Sequence, residues 1–300
     1  MKEGLAVPAL NFKRQLPINT MLKQRILTAL VMFAVLAGVL WVESVWPFLI
    51  FLAITCGVAG WEWTRLTLGL SSRWPIVFGI LLCVLTLLQA YLWLIAGLSD
   101  TYAVQVCVIS SVLMSLTAVS TALRRAQVSA PQAPIAWSAF ALVTLFATWG
   151  VLALLFLEQG VLYVLSLLVI IWIADIAAYF FGRAFGRTKL APSISPGKTR
   201  EGALAGIVGV VVWLMISAQW KGTYGDALMA QWGWFGTIAL AVLLAIFSIA
   251  GDLFESLLKR RAGIKDSSHL LPGHGGVYDR IDAVVAVVPL AYLLTGGWIF

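Results

Sequence analysis

Residues 252 to 282 hold ten charged side chains, five acidic and five basic, together with both histidines of the chain. Asp252, Glu255, Asp266, Asp279 and Asp282 stand against Lys259, Arg260, Arg261, Lys265 and Arg280. Carboxylates suit hard cations such as Mg²⁺, whereas Lys and Arg suit phosphate oxygens. The mixture points to metal-assisted chemistry on a phosphorylated substrate. Spacing adds to this, because on a helix Asp252, Glu255, Ser256 and Lys259 fall at i, i+3, i+4 and i+7, on one face. Asp279 and Asp282 lie one helical turn apart where an apolar run begins, at a helix N-terminus whose dipole favours anions. Pro272-Gly273-His274-Gly275-Gly276 precedes them, with glycines that let backbone N–H groups approach a ligand closely. Taken singly, each has an ordinary reading: an N-cap Asp, a hydrogen-bonded loop histidine, a turn. Their density in one segment favours a site.

A second group begins with Asp175, a carboxylate inside an apolar stretch, with Tyr179 at i+4. Such a residue normally faces the bundle interior and has a partner or a task, a hydrogen bond to Tyr179 being the plainer one. Gly182-Arg183, Gly186-Arg187-Thr188-Lys189 and Ser195-Pro196-Gly197-Lys198-Thr199-Arg200 follow. Gly197-Lys198-Thr199 has the form of a Walker A ending, but Pro192 stands where its first glycine would be, so no P-loop exists. Basic and hydroxyl groups at the start of a helix still suit a phosphate. An ordinary basic anchor is the alternative.

The elements that position these residues are set by composition. Of 300 residues, 61% are hydrophobic and 11% charged, with a mean hydropathy of +0.97. Average domains have about 45–50% apolar and roughly 25% charged residues, so a water-soluble enzyme, a disulfide scaffold and a disordered chain are excluded. Cys56, Cys83 and Cys107 lie singly in apolar stretches and read as lipid-facing or core filler. Nine apolar runs, 26–42, 46–63, 75–97, 102–122, 135–157, 161–181, 203–219, 235–251 and 283–299, mostly approach the roughly 20 residues that cross about 30 Å of hydrocarbon. The second ends in Trp61-Glu62-Trp63, which suits a membrane interface. An all-α polytopic membrane protein of about nine spans is expected.

Nineteen of the twenty Lys and Arg residues fall before the first span or in the loops after spans two, four, six and eight. The opposite loops hold Lys221, with Glu43, Asp100, Glu158 and Asp226. The positive-inside rule then places the N-terminus in the cytoplasm and the C-terminus outside. It also accounts for the net charge of +7 without any nucleic acid. Residues 1–20 read as a polar extension, 21–160 as N-terminal helices (spans one to five), and 161–300 as a catalytic membrane region with cytoplasmic loops 182–202 and 252–282. Spans six to nine meet those loops at one face, so a soluble phosphate would enter from the cytoplasm and a lipid laterally.

Lys259-Arg260, Lys265-Asp266, Pro272-Gly273-His274-Gly275-Gly276 and Asp279-Arg280 with Asp282 resemble the signature of the phosphatidate cytidylyltransferases, or CDP-diacylglycerol synthases. Asp175, Tyr179, Gly182-Arg183, Ser195 to Thr199 and Trp61-Glu62-Trp63 also resemble that family, and the resemblance covers about 21–300. It implies that CTP and phosphatidate give CDP-diacylglycerol and pyrophosphate for phospholipid biosynthesis. It further implies a homodimer in the bacterial inner membrane, working at the cytoplasmic face. Mg²⁺ is the expected cofactor, with room for a second, monovalent ion such as K⁺. Matched motifs and charge chemistry assign the metal to Asp252 and Asp279 first, then to Asp175 and Asp282. Lys198, Lys259, Arg260, Lys265 and Arg280 would handle phosphates beside Asp266. Ser195, Thr199, His274, Gly275 and Gly276 would shape the nucleotide pocket. The rival enzyme is a CTP-dependent polyprenol or phytol kinase. The rival from another class is an ion-coupled transporter with Asp175 as its coupling group.

Overall fold

Without water to satisfy backbone N–H and C=O groups, long apolar runs become helices, which close those bonds internally. The computed structural model describes residues 18–69, 71–96, 102–124 and 134–295. Among them nine α-helices run in the order expected: α1 (Ile18–Trp41), α2 (Trp46–Leu68), α3 (Trp74–Leu94), α4 (Tyr102–Arg124), α5 (Pro134–Gln159), α6 (Val161–Phe185), α7 (Arg200–Ser217), α8 (Tyr224–Arg261) and α9 (Tyr278–Leu294). Six of these, α2, α3, α5, α6, α7 and α8, are long and apolar enough to cross a membrane. Most of the polar extension, Arg125 and the end of the ninth expected span lie outside the described residues.

The all-α expectation is corrected at one place. Between α6 and α7 stands a hairpin of two antiparallel strands, β1 (Lys189–Ala191) and β2 (Ser195–Thr199). The segment 182–202 is therefore no plain loop: α6 runs on to Phe185, and Thr199 caps α7 by accepting from Gly202 N at 3.1 Å. Glu201 pins the base of the hairpin, its carboxylate accepting from the backbone N–H groups of Arg187 and Thr188 at 3.1 Å each.

Further boundaries move. In α8 Gly233 (φ 63°) breaks the helix, so Asp226 sits in the first turn of a short piece rather than in a loop, and the piece after the break begins where the eighth span was expected. The same helix runs through Asp252 to Arg261, which leaves only 262–277 as loop. The interface reading of Trp63 is overturned. α2 continues to Leu68, and Trp63 is 1% exposed, stacked on Tyr278 at 4.8 Å and edge-on to Phe140 at 5.3 Å. The ring is large enough to close the core between α2, α5, α8 and α9.

Small residues allow the close crossings. A Cβ at Gly251 would come within 2.9 Å of the Asp282 carbonyl, so only glycine lets α8 lie this near α9. That contact places Asp252 beside Asp282. Cys56 is buried and its Sγ lies 3.4 Å from the Leu145 carbonyl, while Cys83 and Cys107 are half-buried, all three free.

Candidate active site

Because α8 stays helical to Arg261, Asp252, Glu255 and Lys259 do share a face, and that face meets the first turns of α9. Carboxylate oxygens of Asp252, Glu255 and Asp282 lie within 4.8 Å of one another. Three anions so close need compensation. Lys198, on β2, is ion-paired to Asp252. Lys259 bridges Glu255 at 2.5 Å and Asp279 at 2.8 Å. Glu255 is 1% exposed, its Oε1 meets no hydrogen-bond donor among the described residues, and its carboxyl lies within hydrogen-bond reach of that of Asp279. A buried carboxylate oxygen left unpaired costs about 1–3 kcal/mol or more. It therefore marks a place where a proton shared with Asp279 or a further positive group fits. Asp175, on α6, lies within electrostatic reach of Asp252, Lys198 and Arg280, so the two groups seen in the sequence meet at one place.

The loop 262–277 is held from below by two carboxylates. Asp279 accepts from Ser267 N at 3.0 Å and Gly276 N at 2.8 Å, besides its ion pair with Lys259. It is not the N-cap of α9, which is Val277. Glu62, wholly buried on α2, accepts from Ser268 Oγ at 2.5 Å, Ser267 Oγ at 3.1 Å, Val277 N at 3.1 Å and Tyr278 N at 2.6 Å. A Cβ at Gly276 would stand 2.5 Å from Glu62 Oε1, and one at Gly275 (φ 84°) would collide with Asp279. The glycines thus serve the two carboxylates by letting the loop close on them. Arg65, one turn beyond Glu62, adds a bond to Ser267 O at 3.0 Å.

The remaining expected residues take distinct places. Arg260 donates through Nε to Ile194 O at 3.1 Å, tying α8 to the hairpin tip beside Ser195. Arg280 donates through Nε and Nη2 to His274 O at 3.1 and 2.7 Å. Asp266 is half-buried against Gly275, and Lys265 is exposed on the same loop. Thr199 has its hydroxyl committed to the cap of α7. Geometry therefore gathers Asp252, Asp282 and Asp175 with Lys198, and sets Asp279 and Lys259 one step behind as a clamp on the loop. Glu255 and Glu62 were not among the expected site residues. The signal for Glu62 was the one that singled out Asp175, an acidic residue within an apolar span.

A model of the cytidylyltransferase family matches residues 23–296. A phosphatidate cytidylyltransferase of Pseudomonas aeruginosa is 35% identical over 289 residues, covering 93% of this chain and 99% of that protein. One of Haemophilus influenzae is 34% identical over 286 residues, covering 90% and 96%. One of Brucella suis is 35% identical over 275 residues, covering 91% and 92%.

Proposed function

We propose, because this chain belongs to the cytidylyltransferase family, that it is a CTP:phosphatidate cytidylyltransferase, the activity for which its relatives are named. A phosphate oxygen of phosphatidate attacks the α-phosphorus of CTP. The new P–O bond forms as the bond from that phosphorus to the bridging oxygen of the β-phosphate breaks, releasing CDP-diacylglycerol and pyrophosphate. A phosphate monoester is already an oxyanion near neutral pH, so no side-chain nucleophile is required. The task is to bring two polyanions together in line.

The observation that carries the mechanism is the convergence of the Asp252, Glu255 and Asp282 carboxylates. All-oxygen donors at this separation suit a hard divalent cation. These three would hold Mg²⁺, which when bound supplies positive charge to the triphosphate and the departing pyrophosphate. Lys198, on the hairpin edge against Asp252, stands where triphosphate oxygens would arrive. Lys259 and Asp279 keep the loop and the acidic face in register. The kinase and transporter readings are not favoured, since the relatives are named for cytidylyl transfer.

The distribution of Lys and Arg supports nine spans with the N-terminus and this site on the cytoplasmic side, α1, α4 and α9 supplying the three beyond the six longest apolar helices. A bacterial inner membrane and a homodimer complete the reading. Purified protein given phosphatidate and CTP should lose all turnover in excess EDTA and regain it with added Mg²⁺. Full turnover in EDTA would overturn the metal assignment.

A further inference from the structure

Among the described residues, α1 is tied to the bundle on either side of a cavity. Near one end, Thr28 Oγ1 donates to Pro272 O at 2.8 Å, and near the other, Val39 and Leu40 pack on the core. The cavity, of about 430 Å³, is walled by α1, α2, α5, α6 and α9. Met32 and Leu36 of α1 line it together with Thr55, Thr148 and Trp172. A second cavity of about 310 Å³ continues it along α1, sharing Val31, Met32 and Leu271. Both fall in the size range of small-molecule sites, about 300–1,000 Å³.

Charge fixes what suits this cleft. Arg280 is the one charged side chain among the described residues lining the larger cavity. It sits on α9 between Asp279 and Asp282, within electrostatic reach of Asp175, so the charged end of the cleft opens beside the acidic cluster. The rest of the lining is apolar apart from two threonine hydroxyls, a thiol and two indole rings. A ligand with a phosphate at one end and a hydrocarbon tail at the other matches both ends.

Resting on the activity proposed above, we infer that the cleft beneath α1 seats one acyl chain of the lipid phosphate, with Arg280 on its phosphate. A chain leaving bilayer for this cleft gains little hydrophobic free energy, because lipid is as apolar as the lining. The cleft therefore orients the phosphate for in-line attack and reads chain length, rather than supplying affinity. Leu36 lies eight residues beyond Thr28, about 12 Å deeper at 1.5 Å per residue. Short chains do not reach it.

The test compares dioleoyl with dihexanoyl phosphatidate on full-length protein, wild type against Leu36→Trp and, from the opposite wall, Leu168→Phe. Ile80→Trp, on the outward face of α3, is the control. In at least one cleft variant, kcat/KM for dioleoyl phosphatidate should fall about tenfold, with dihexanoyl phosphatidate and the KM for CTP unchanged. Equal loss for both lipids, or no loss in either variant, would overturn the inference and make the cleft a bed for bulk lipid. Wild-type protein that forms no CDP-lipid from either substrate would instead sink the activity itself.

Discussion

Asp282→Asn is expected to lower turnover about a hundredfold or more while leaving the protein folded in the membrane. The substitution keeps size and shape and removes one negative charge from a cluster whose members lie within 4.8 Å of one another. With fewer like charges in contact, the fold should tolerate or even welcome the loss. A cation site, by contrast, cannot lose a hard anionic ligand without weakening. Asp252→Asn should behave alike, with the added release of Lys198 from its ion pair. Asp279→Asn should differ in kind. That carboxylate holds Lys259 and two backbone N–H groups, so its neutral form should lower thermal stability along with activity. Asp226→Asn, at the far end of α8 where it accepts from Gly222 N, should leave activity unchanged. Near-normal turnover of Asp282→Asn at saturating CTP and Mg²⁺ would remove Asp282 from the metal set.

Glu62→Gln should destabilise the protein and reduce activity together, although residue 62 lies more than 200 positions from the segment it holds. Each carboxylate oxygen accepts one serine hydroxyl and one backbone N–H. An amide offers one oxygen and an NH₂ group. The hydroxyl facing the NH₂ can turn round and accept, but the backbone N–H beside it cannot. At least one buried donor is stranded, at about 1–3 kcal/mol. A fall in thermal midpoint with a parallel fall in kcat is expected, and Glu62→Ala should be worse because it strands all four donors. An unshifted midpoint in Glu62→Gln would show that the loop is held by Asp279 and Arg65 alone.

Much of this arrangement was legible in the residues. The i, i+3, i+7 spacing of Asp252, Glu255 and Lys259 needs only a continuous helix, and α8 provides it. Helix order followed from apolar runs because lipid leaves the backbone few alternatives. What escaped reading depends on distance or on mixed signals. The hairpin at 189–199 is rich in Lys, Pro, Ser and Gly, which give a weak strand signal, and is fixed by Glu201 and by contact with α6 and α7. Trp63 carries the same interface signal as Trp61, and only packing against Tyr278 and Phe254 places it inside. The different surroundings of the aspartates also lay beyond spacing. Asp279 and Asp282 are equivalent by position, yet one faces Lys259 and the loop N–H groups and the other faces Asp252 and Glu255.

The central claim, that carboxylates of α8 and α9 support metal-assisted cytidylyl transfer to a lipid phosphate, is tested most directly by doubly labelled CTP. Purified protein, phosphatidate and CTP labelled at the α- and γ-phosphorus are incubated with Mg²⁺ or with EDTA, and lipid and aqueous phases are counted separately. The α-label should enter the lipid phase only with Mg²⁺, with the γ-label recovered as pyrophosphate in equal amount. Transfer of the γ-label to lipid with release of CDP, or α-label entering lipid undiminished in EDTA, would contradict it.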